Sequence, residues 1–220
     1  MSERENIFAR IREALRVQAH SHSGTGLPTA ADQRRVLPAV GATTDEQFAL
    51  FAKNASDLRA TFKLLNSESE AVAELKALNA AEKWQRIATH KGALAQSLAA
   101  GLGLPTLVTN DAFDKHELEK CDVGISECDA LVAQTGTVVV TSRSAGGRAL
   151  SCLPPHHVVI ARREQLGPDL PAAFALIKRK YGDNYPSMIS FITGPSRTGD
   201  IERILVLGAH GPKRLTILCF

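Results

Sequence analysis

Short apolar runs alternate with helix-length amphipathic stretches through the middle of the chain, and this alternation restricts the fold more than any other feature. Phe62 to Leu65, Arg86 to Thr89 and Thr106 to Val108 read as strands. Between them, Ser67 with Glu70 three residues on is the pattern of a capping box leading into Val72 and Leu75. Ala93 to Ala100 is an alanine-rich helix that ends near Gly101 and Gly103. An earlier helix starts at Thr44, with Asp45 and Glu46 in its first turn, and runs to about Leu58 with Phe48 and Phe51 toward the core. Strands and helices of this length in alternation specify βαβ units and a largely parallel sheet covered on both faces.

The second half reads differently. Asp129 to Ala133 and Thr137 to Thr141 are separated by a short polar turn, and Val158 to Ala161 follows one Gly-rich loop later. Connections this short suit hairpins, so an antiparallel portion is expected. Leu170 to Tyr181 has helical spacing, and Met188 to Ile192, Ile204 to Leu207 and Leu215 to Cys219 are further strands. The expected fold is therefore α/β: a three-layer α/β/α arrangement with a mixed, largely parallel sheet, in one main domain over residues 44–220. Ahead of it, Ile7, Ile11 and Leu15 form the stripe of an amphipathic helix within residues 1–17, and the Ser-, Gly-, His- and Pro-rich stretch within residues 18–43 reads as a linker or arm. So short a helix needs a partner, which makes a homo-oligomer held through it an expectation.

Composition removes several classes of function. The 26 basic and 23 acidic residues are interspersed, giving +3, and aromatics are only 5%, so neither a phosphate-tracking stripe nor a base-stacking platform for nucleic acid is expected. The charged opening lacks a secretory signal, and no run nears the roughly 20 apolar residues of a membrane span, so a cytoplasmic setting is expected. Cys121, Cys128, Cys152 and Cys219 match neither zinc-ligand nor iron–sulfur spacing and read as reduced thiols packed as small hydrophobes. His156 and His157, neighbours on a strand, point to opposite faces, so no metal site is expected there. Neither the phosphate-loop nor the dinucleotide fingerprint occurs, and no cofactor is expected.

Polar chemistry gathers in turns. Gly194-Pro195-Ser196-Arg197-Thr198-Gly199-Asp200 leaves the strand Met188 to Ile192, and loops at the carboxyl ends of strands in open α/β sheets are the usual ligand positions. Ser196 and Thr198 offer hydroxyls and Arg197 a planar cationic fork, a set suited to a carboxylate or phosphate; the same residues also suit a helix cap. Thr135, Gly136 and Thr137 sit in the turn after Ala133, either donating to a ligand or satisfying the turn itself. Gln134 beside them is neutral and cannot act as a general base or carboxylate nucleophile. The loop Ser142 to Arg148, with Gly146 and Gly147, either closes over an anion through Arg148 or is a solvated hairpin tip. His210, in Gly208-Ala209-His210-Gly211-Pro212, either moves protons in a cleft or bonds the backbone of its turn.

Gly194-Pro195-Ser196-Arg197-Thr198, Asp200-Ile201-Glu202, Leu207-Gly208 and His210-Gly211-Pro212, in that order and spacing, resemble the lactate-utilisation (LUD) domain, specifically its stand-alone C proteins. Asp122-Val123-Gly124-Ile125, Asp129-Ala130, Thr135-Gly136-Thr137 and Leu153-Pro154-Pro155-His156 resemble the family's middle motifs, and the likeness runs over about residues 44 to 220. Two positions depart from the family pattern: Gln134 replaces the usual glutamate, and Gly199 a residue that is more often alanine. The resemblance implies a fold similar to the NagB/RpiA/CoA-transferase group and to 5-formyltetrahydrofolate cyclo-ligase. It also implies a component of a system oxidising L-lactate to pyruvate, a non-redox subunit beside iron–sulfur sister proteins. An independent small-anion enzyme, of isomerase, transferase or cyclo-ligase type, and a lactate-binding sensor remain the alternatives, and whether the chain is itself catalytic stays open.

Overall fold

A computed structural model describes residues 3–16, 38–110, 113–198, 206–208 and 210–220. The chain separates into two compact units, residues 1–38 and 39–220. The first contains α1 (Glu3–Arg16), with Glu3 and Glu5 at its positive end and Arg16 in its last turn, as a helix dipole favours. None of its residues is buried, and Ile7, Phe8, Ile11 and Leu15 are all exposed. Most of the expected linker, residues 17–37, lies outside the described residues.

The second unit begins with α2 (Thr44–Asp57), one residue after its cap. The helix starts at Thr44 as expected, with Thr43 as its N-cap: the Thr43 hydroxyl accepts from the Glu46 amide and the Glu46 carboxylate accepts from the Thr43 amide. Then follow β1 (Thr61–Leu64), α3 (Glu68–Glu82), β2 (Ile87–Thr89), α4 (Ala93–Ala100), β3 (Thr106–Val108), α5 (Lys115–Glu119), β4 (Val123–Glu127), β5 (Ala130–Val132), β6 (Thr137–Thr141) and β7 (His156–Ala161). A 3-10 turn at Arg163–Gln165 leads to β8 (Leu166–Gly167), α6 (Leu170–Tyr181), β9 (Ile189–Ile192), β10 (Arg197–Thr198), β11 (Val206–Leu207) and β12 (Arg214–Cys219). In α3 the Ser67 hydroxyl accepts from the Glu70 amide, while the Glu70 carboxylate turns to the Asn66 amide.

Six strands form one sheet in the order β1-β12-β7-β4-β2-β3, every neighbouring pair parallel. Alternation gives it two apolar faces. Val123, Ile125, Val158, Ile160 and Leu218 pack against Leu75 of α3 and Leu98 of α4. Val159, Ala161, Leu215, Ile217 and Cys219 pack on the other face against Phe48 and Phe51 of α2. Helices thus flank a parallel sheet, and both faces are buried, which is why β7 and β12 read as nearly continuous apolar runs.

The antiparallel strands do not join that sheet. They form a second one in the order β8-β5-β6-β9, whose Val138 and Val140 enter the core on the α2 side while Val132 and Val139 meet Ala173, Ile177 and Tyr181 of α6. The Asp129–Thr141 hairpin is antiparallel as expected, but Val158 to Ala161 is not its third strand. Residues 142–155 carry the chain across to the six-stranded sheet, where β7 pairs in parallel with β4 and β12.

In the six-stranded sheet the strand order reverses between β2 and β4, where ligands enter many open α/β folds at the carboxyl ends. Here that position is packed. His90, directly after β2, is 3% exposed, and the amides of Gly92 and Glu127 approach its two ring nitrogens at 3.1 Å, of which a neutral imidazole accepts from one. Glu127 accepts from the Ala95 amide at 3.1 Å, the Asn110 side chain accepts from the Lys91 amide, and Thr109 donates to Gly146 at 2.8 Å. Gly146 has φ +60, and a side chain there would start 2.2 Å from the His90 Cβ.

Candidate functional site

An open cleft lies at the opposite end, by the amino-terminal edges of β7 and β12. Its first wall is the turn after β9. Gly194 adopts φ +88 with the Leu58 carbonyl 2.9 Å from where a Cβ would stand, so only glycine passes. The Ser196 amide then donates to Pro212 and its carbonyl accepts from Gly208, each at 2.9 Å, before Arg197 and Thr198 pair with Leu207 and Val206. This pairing sets Ser196 beside Gly211, where an added Cβ would lie 3.1 Å from that of Ser196.

The second wall comes from Ser151 and Cys152, in the turn preceding β7, and from His157 and Leu215 on the parallel sheet; Ser190 and Ile192 of β9 complete the lining, and His210 reaches it from the segment before β12. The resulting cleft measures about 490 Å³, including its open mouth. Among the described residues its lining offers hydroxyls, imidazoles and a thiol, and no carboxylate.

His157 forms the floor. It is 1% exposed, and its Nε2 lies 2.9 Å from the Ser126 hydroxyl. Burial, with a smaller contribution from neighbouring His156, pushes it down to about 3, so the ring is neutral at physiological pH. His156 faces the other way, edge-on to Trp84 with its Nε2 2.9 Å from the Thr216 hydroxyl, and burial pushes it down to about 4. The two histidines therefore point to opposite faces, as strand geometry requires.

The thiols depart from the reading that packs all four inside. Cys121, Cys128 and Cys219 are buried, and burial raises each, Cys219 to about 12. Cys152 is exposed, because the 142–155 crossing brings it to the cleft instead of a core layer.

Of the residues singled out by sequence, Ser196 and His210 meet in the cleft. Arg197 is exposed on the adjoining ribbon, one guanidinium nitrogen 3.7 Å from where a Gly194 side chain would begin, and Thr198 follows it away from the lining. Thr135, Gly136 and Thr137 lie outside the cleft, in the β5–β6 turn, which α2 holds: Asn54 donates to the carbonyls of Ala133 and Gln134 at 3.0 and 2.9 Å, and Gly136, at φ +63, leaves 2.8 Å between its missing Cβ and the Ala55 amide. A hydroxyl chain from Thr135 to Thr137 (2.7 Å) and on to Thr193 (2.8 Å) braces the turn that carries Gly194. Arg148 is not in the cleft either; it donates to the Ser187 carbonyl at 2.7 Å. His157, Cys152, Ser190 and Ser126 had no motif to mark them as site residues, since their convergence depends on two separate sheets.

Comparison with known proteins gives this geometry a context. The family model of the LUD domain matches residues 48–219. The chain is 40% identical over 96 residues to a protein named Lactate utilization protein C from Bacillus licheniformis, covering 43% of this chain and 40% of that one. It is 42% identical over 112 residues to the protein of the same name from Geobacillus kaustophilus, covering 49% and 47%. The matched stretch thus spans less than half the length of either relative. A crystal structure of a DUF162 family protein from Deinococcus radiodurans superposes with a TM-score of 0.64 at 22% identity, over 81% of this chain and 99% of that chain, a likeness of fold.

Proposed function

Because the chain belongs to the LUD-domain family, we propose that it serves lactate utilisation as a non-redox component that holds a short carboxylate in the Ser196–His210 cleft, beside iron–sulfur partner proteins that oxidise L-lactate to pyruvate. The names of the related proteins support the pathway. The single observation that carries the ligand is the cleft itself: Gly194–Ser196 and His210–Pro212, both from the family-like stretch, form one wall of it, with hydroxyls, a nearby guanidinium and, among the described residues, no lining carboxylate. The burial of three of the four thiols, Cys121, Cys128 and Cys219, fits the non-redox role. Four free cysteines fit the reducing cytoplasm, where we place the protein, and among the described residues no helix is long and apolar enough to cross a membrane.

The test is recovery of the chain from cells grown on L-lactate, with lactate-dependent dye reduction assayed on the recovered material. Co-recovery of iron–sulfur proteins, with activity that disappears when this chain is left out and returns when it is added back, is the expected result. Unimpaired growth on L-lactate after deletion, with the chain isolated alone, overturns the assignment. In the same system Arg197→Ala and Ser196→Ala are expected to weaken the dependence on lactate concentration while leaving the fold intact.

A further inference from the structure

The edge of the parallel sheet that carries the Ser196–His210 cleft has a second opening on the α3 side, lined by His156 and measuring about 490 Å³ with its open mouth. His156 is 5% exposed; its Nε2 lies 2.9 Å from the Thr216 hydroxyl, and its Nδ1 is buried with no hydrogen-bond partner among the described residues. A buried polar atom left unpaired costs free energy, and one in the wall of a cleft is satisfied most directly by what fills the cleft. Trp84, edge-on to the ring with centroids 5.5 Å apart, and Pro155 supply the apolar part of the lining.

Two opposite charges border this cleft without meeting each other. Lys213 precedes β12: its amide donates to the Pro155 carbonyl at 2.8 Å, its stem occupies the space that a Gly208 side chain would need, and among the described residues its ammonium has no ionic partner. Asp122 precedes β4: one carboxylate oxygen accepts from the Gln85 and Arg86 amides at 2.7 and 3.0 Å, and the other takes no hydrogen bond from the described residues. The remaining two charges of the lining, Glu82 and Arg214, are engaged with each other. His156 stands between the open pair, because its register partners are Arg214 on β12 and Val123 on β4, the residues that follow Lys213 and Asp122. Two inter-strand spacings, roughly 10 Å, separate those strands, which leaves room for a short zwitterion with a hydrogen bond at each end.

We propose that this cleft binds a free α-amino acid with an apolar side chain: the ammonium donates to His156 Nδ1 and to the open Asp122 oxygen, the carboxylate pairs with Lys213, and the side chain lies against Trp84 and Pro155. The site is separate from the Ser196–His210 cleft and does not rest on what that cleft holds.

The lining selects this chemistry over its nearest alternatives. Burial lowers His156 to about 4 and so keeps the ring neutral; with Nε2–H donating to Thr216, Nδ1 is an acceptor. An ammonium carries three donors and a positive charge, enough for both that acceptor and a carboxylate oxygen. A carboxylate without an ammonium brings negative charge toward Asp122 and leaves Nδ1 unpaired, and an amine without a carboxylate leaves Lys213 unmatched.

Trp84 is the only tryptophan of the chain, so its emission reports on this cleft. Titration of the full chain with L-leucine is expected to give a saturable change in Trp84 emission with the same midpoint as calorimetry. Isocaproate, which lacks the ammonium, and isoamylamine, which lacks the carboxylate, are each expected to bind about tenfold more weakly, the effect of one charge-assisted hydrogen bond. Lys213→Met keeps the stem over Gly208 without the charge and is expected to weaken L-leucine about tenfold while leaving isoamylamine unchanged. In nitrogen NMR of the wild-type chain, His156 Nδ1 is expected to shift with L-leucine and not with isocaproate. No saturable response to L-leucine, isocaproate binding as tightly, an Nδ1 signal indifferent to L-leucine, or an affinity that survives Lys213→Met overturns the proposal, and each of these leaves the carboxylate reading of the Ser196–His210 cleft untouched.

Discussion

The two ends of the parallel sheet use similar residue types to opposite effect. At the carboxyl ends of β2 and β4, a histidine, a glutamate, an asparagine and a threonine are consumed by backbone partners, and Gly146 closes over them. At the amino ends of β7 and β12, a histidine, serines and a cysteine remain around an open cleft. Polar groups that bond each other and the backbone stabilise a fold; polar groups left facing a void are available to a ligand. The usual ligand position of open α/β sheets is thereby occupied by the protein's own loop, and the candidate site has moved to the other edge, where the second sheet supplies the missing wall.

The comparison breaks first, and hardest, at Gly146. Valine there must adopt φ +60 and start 2.2 Å from the His90 Cβ, so strain and overpacking together are expected to cost about 4 kcal/mol. Gly147, at φ +111 with nothing within 4 Å of an added Cβ, pays only the strain, about 1 to 2 kcal/mol for alanine. Thermal or urea denaturation of the two variants checks the difference. Equal losses would mean that the carboxyl end is not packed as described.

The histidines of both ends give the next effect, through pH. Free imidazole titrates near 6.5, while folding holds His156 at about 4 and His157 at about 3, and burial also lowers His90. Below about pH 6.5 the unfolded chain therefore binds protons that the folded chain refuses, and stability declines as pH falls from there toward 4. Each unit across that window removes on the order of 1 kcal/mol per histidine. His156→Gln, which leaves the lining of the Ser196–His210 cleft intact, is expected to flatten the slope of a urea-midpoint series measured between pH 4 and 7.

A smaller loss belongs to Asp129, between the two sheets. Burial raises its carboxyl, but bonds from Lys180 at 2.5 Å and Tyr181 at 2.7 Å outweigh that and leave it below the ordinary range. Its contribution is present above the unfolded carboxyl pKa and fades only as pH falls through the lowered folded value, below the histidine window. Asp129→Ala is expected to cost on the order of 2 kcal/mol at neutral pH, the half-exposed Lys180 regaining part of the loss from water.

These sites also show what the sequence makes legible. Elements depend on local signals, so the Thr44 helix start, the Ser67 cap, the Leu170–Tyr181 helix and the strands that spacing names stand within a residue or two of their places, while β4, β8 and β10 carry no periodic run long enough to announce them. Pairing does not: Val138–Val140 and Val158–Ile160 are equally buried β-branched runs, and nothing within either says that they belong to different sheets. The site inherits that limit. Ser196 and His210 are marked by turn chemistry close in sequence, whereas His157 and Cys152 become neighbours of Ser196 only through the crossing at 142–155. The glycines of Thr135-Gly136-Thr137 and of the Gly146 loop have reasons in close backbone and side-chain approach, to Ala55 and to His90.

The least costly change, and the one that best sharpens the contrast between filled and open regions, is at Cys152. Its neighbours in composition, Cys121, Cys128 and Cys219, are buried and raised by burial, so each must wait for the fold to open before a thiol reagent can reach it. Cys152 needs no opening. Native protein treated with an aromatic disulfide reagent is therefore expected to release one equivalent of thiolate quickly, and the other three only in denaturant, with Cys152→Ser abolishing the fast phase while shifting stability by less than about 0.5 kcal/mol. A second fast thiol would show that one of the core layers opens readily. A fast phase that slows in the presence of L-lactate would place the ligand against the same wall as Cys152, and one indifferent to saturating ligand would move the ligand away from that wall.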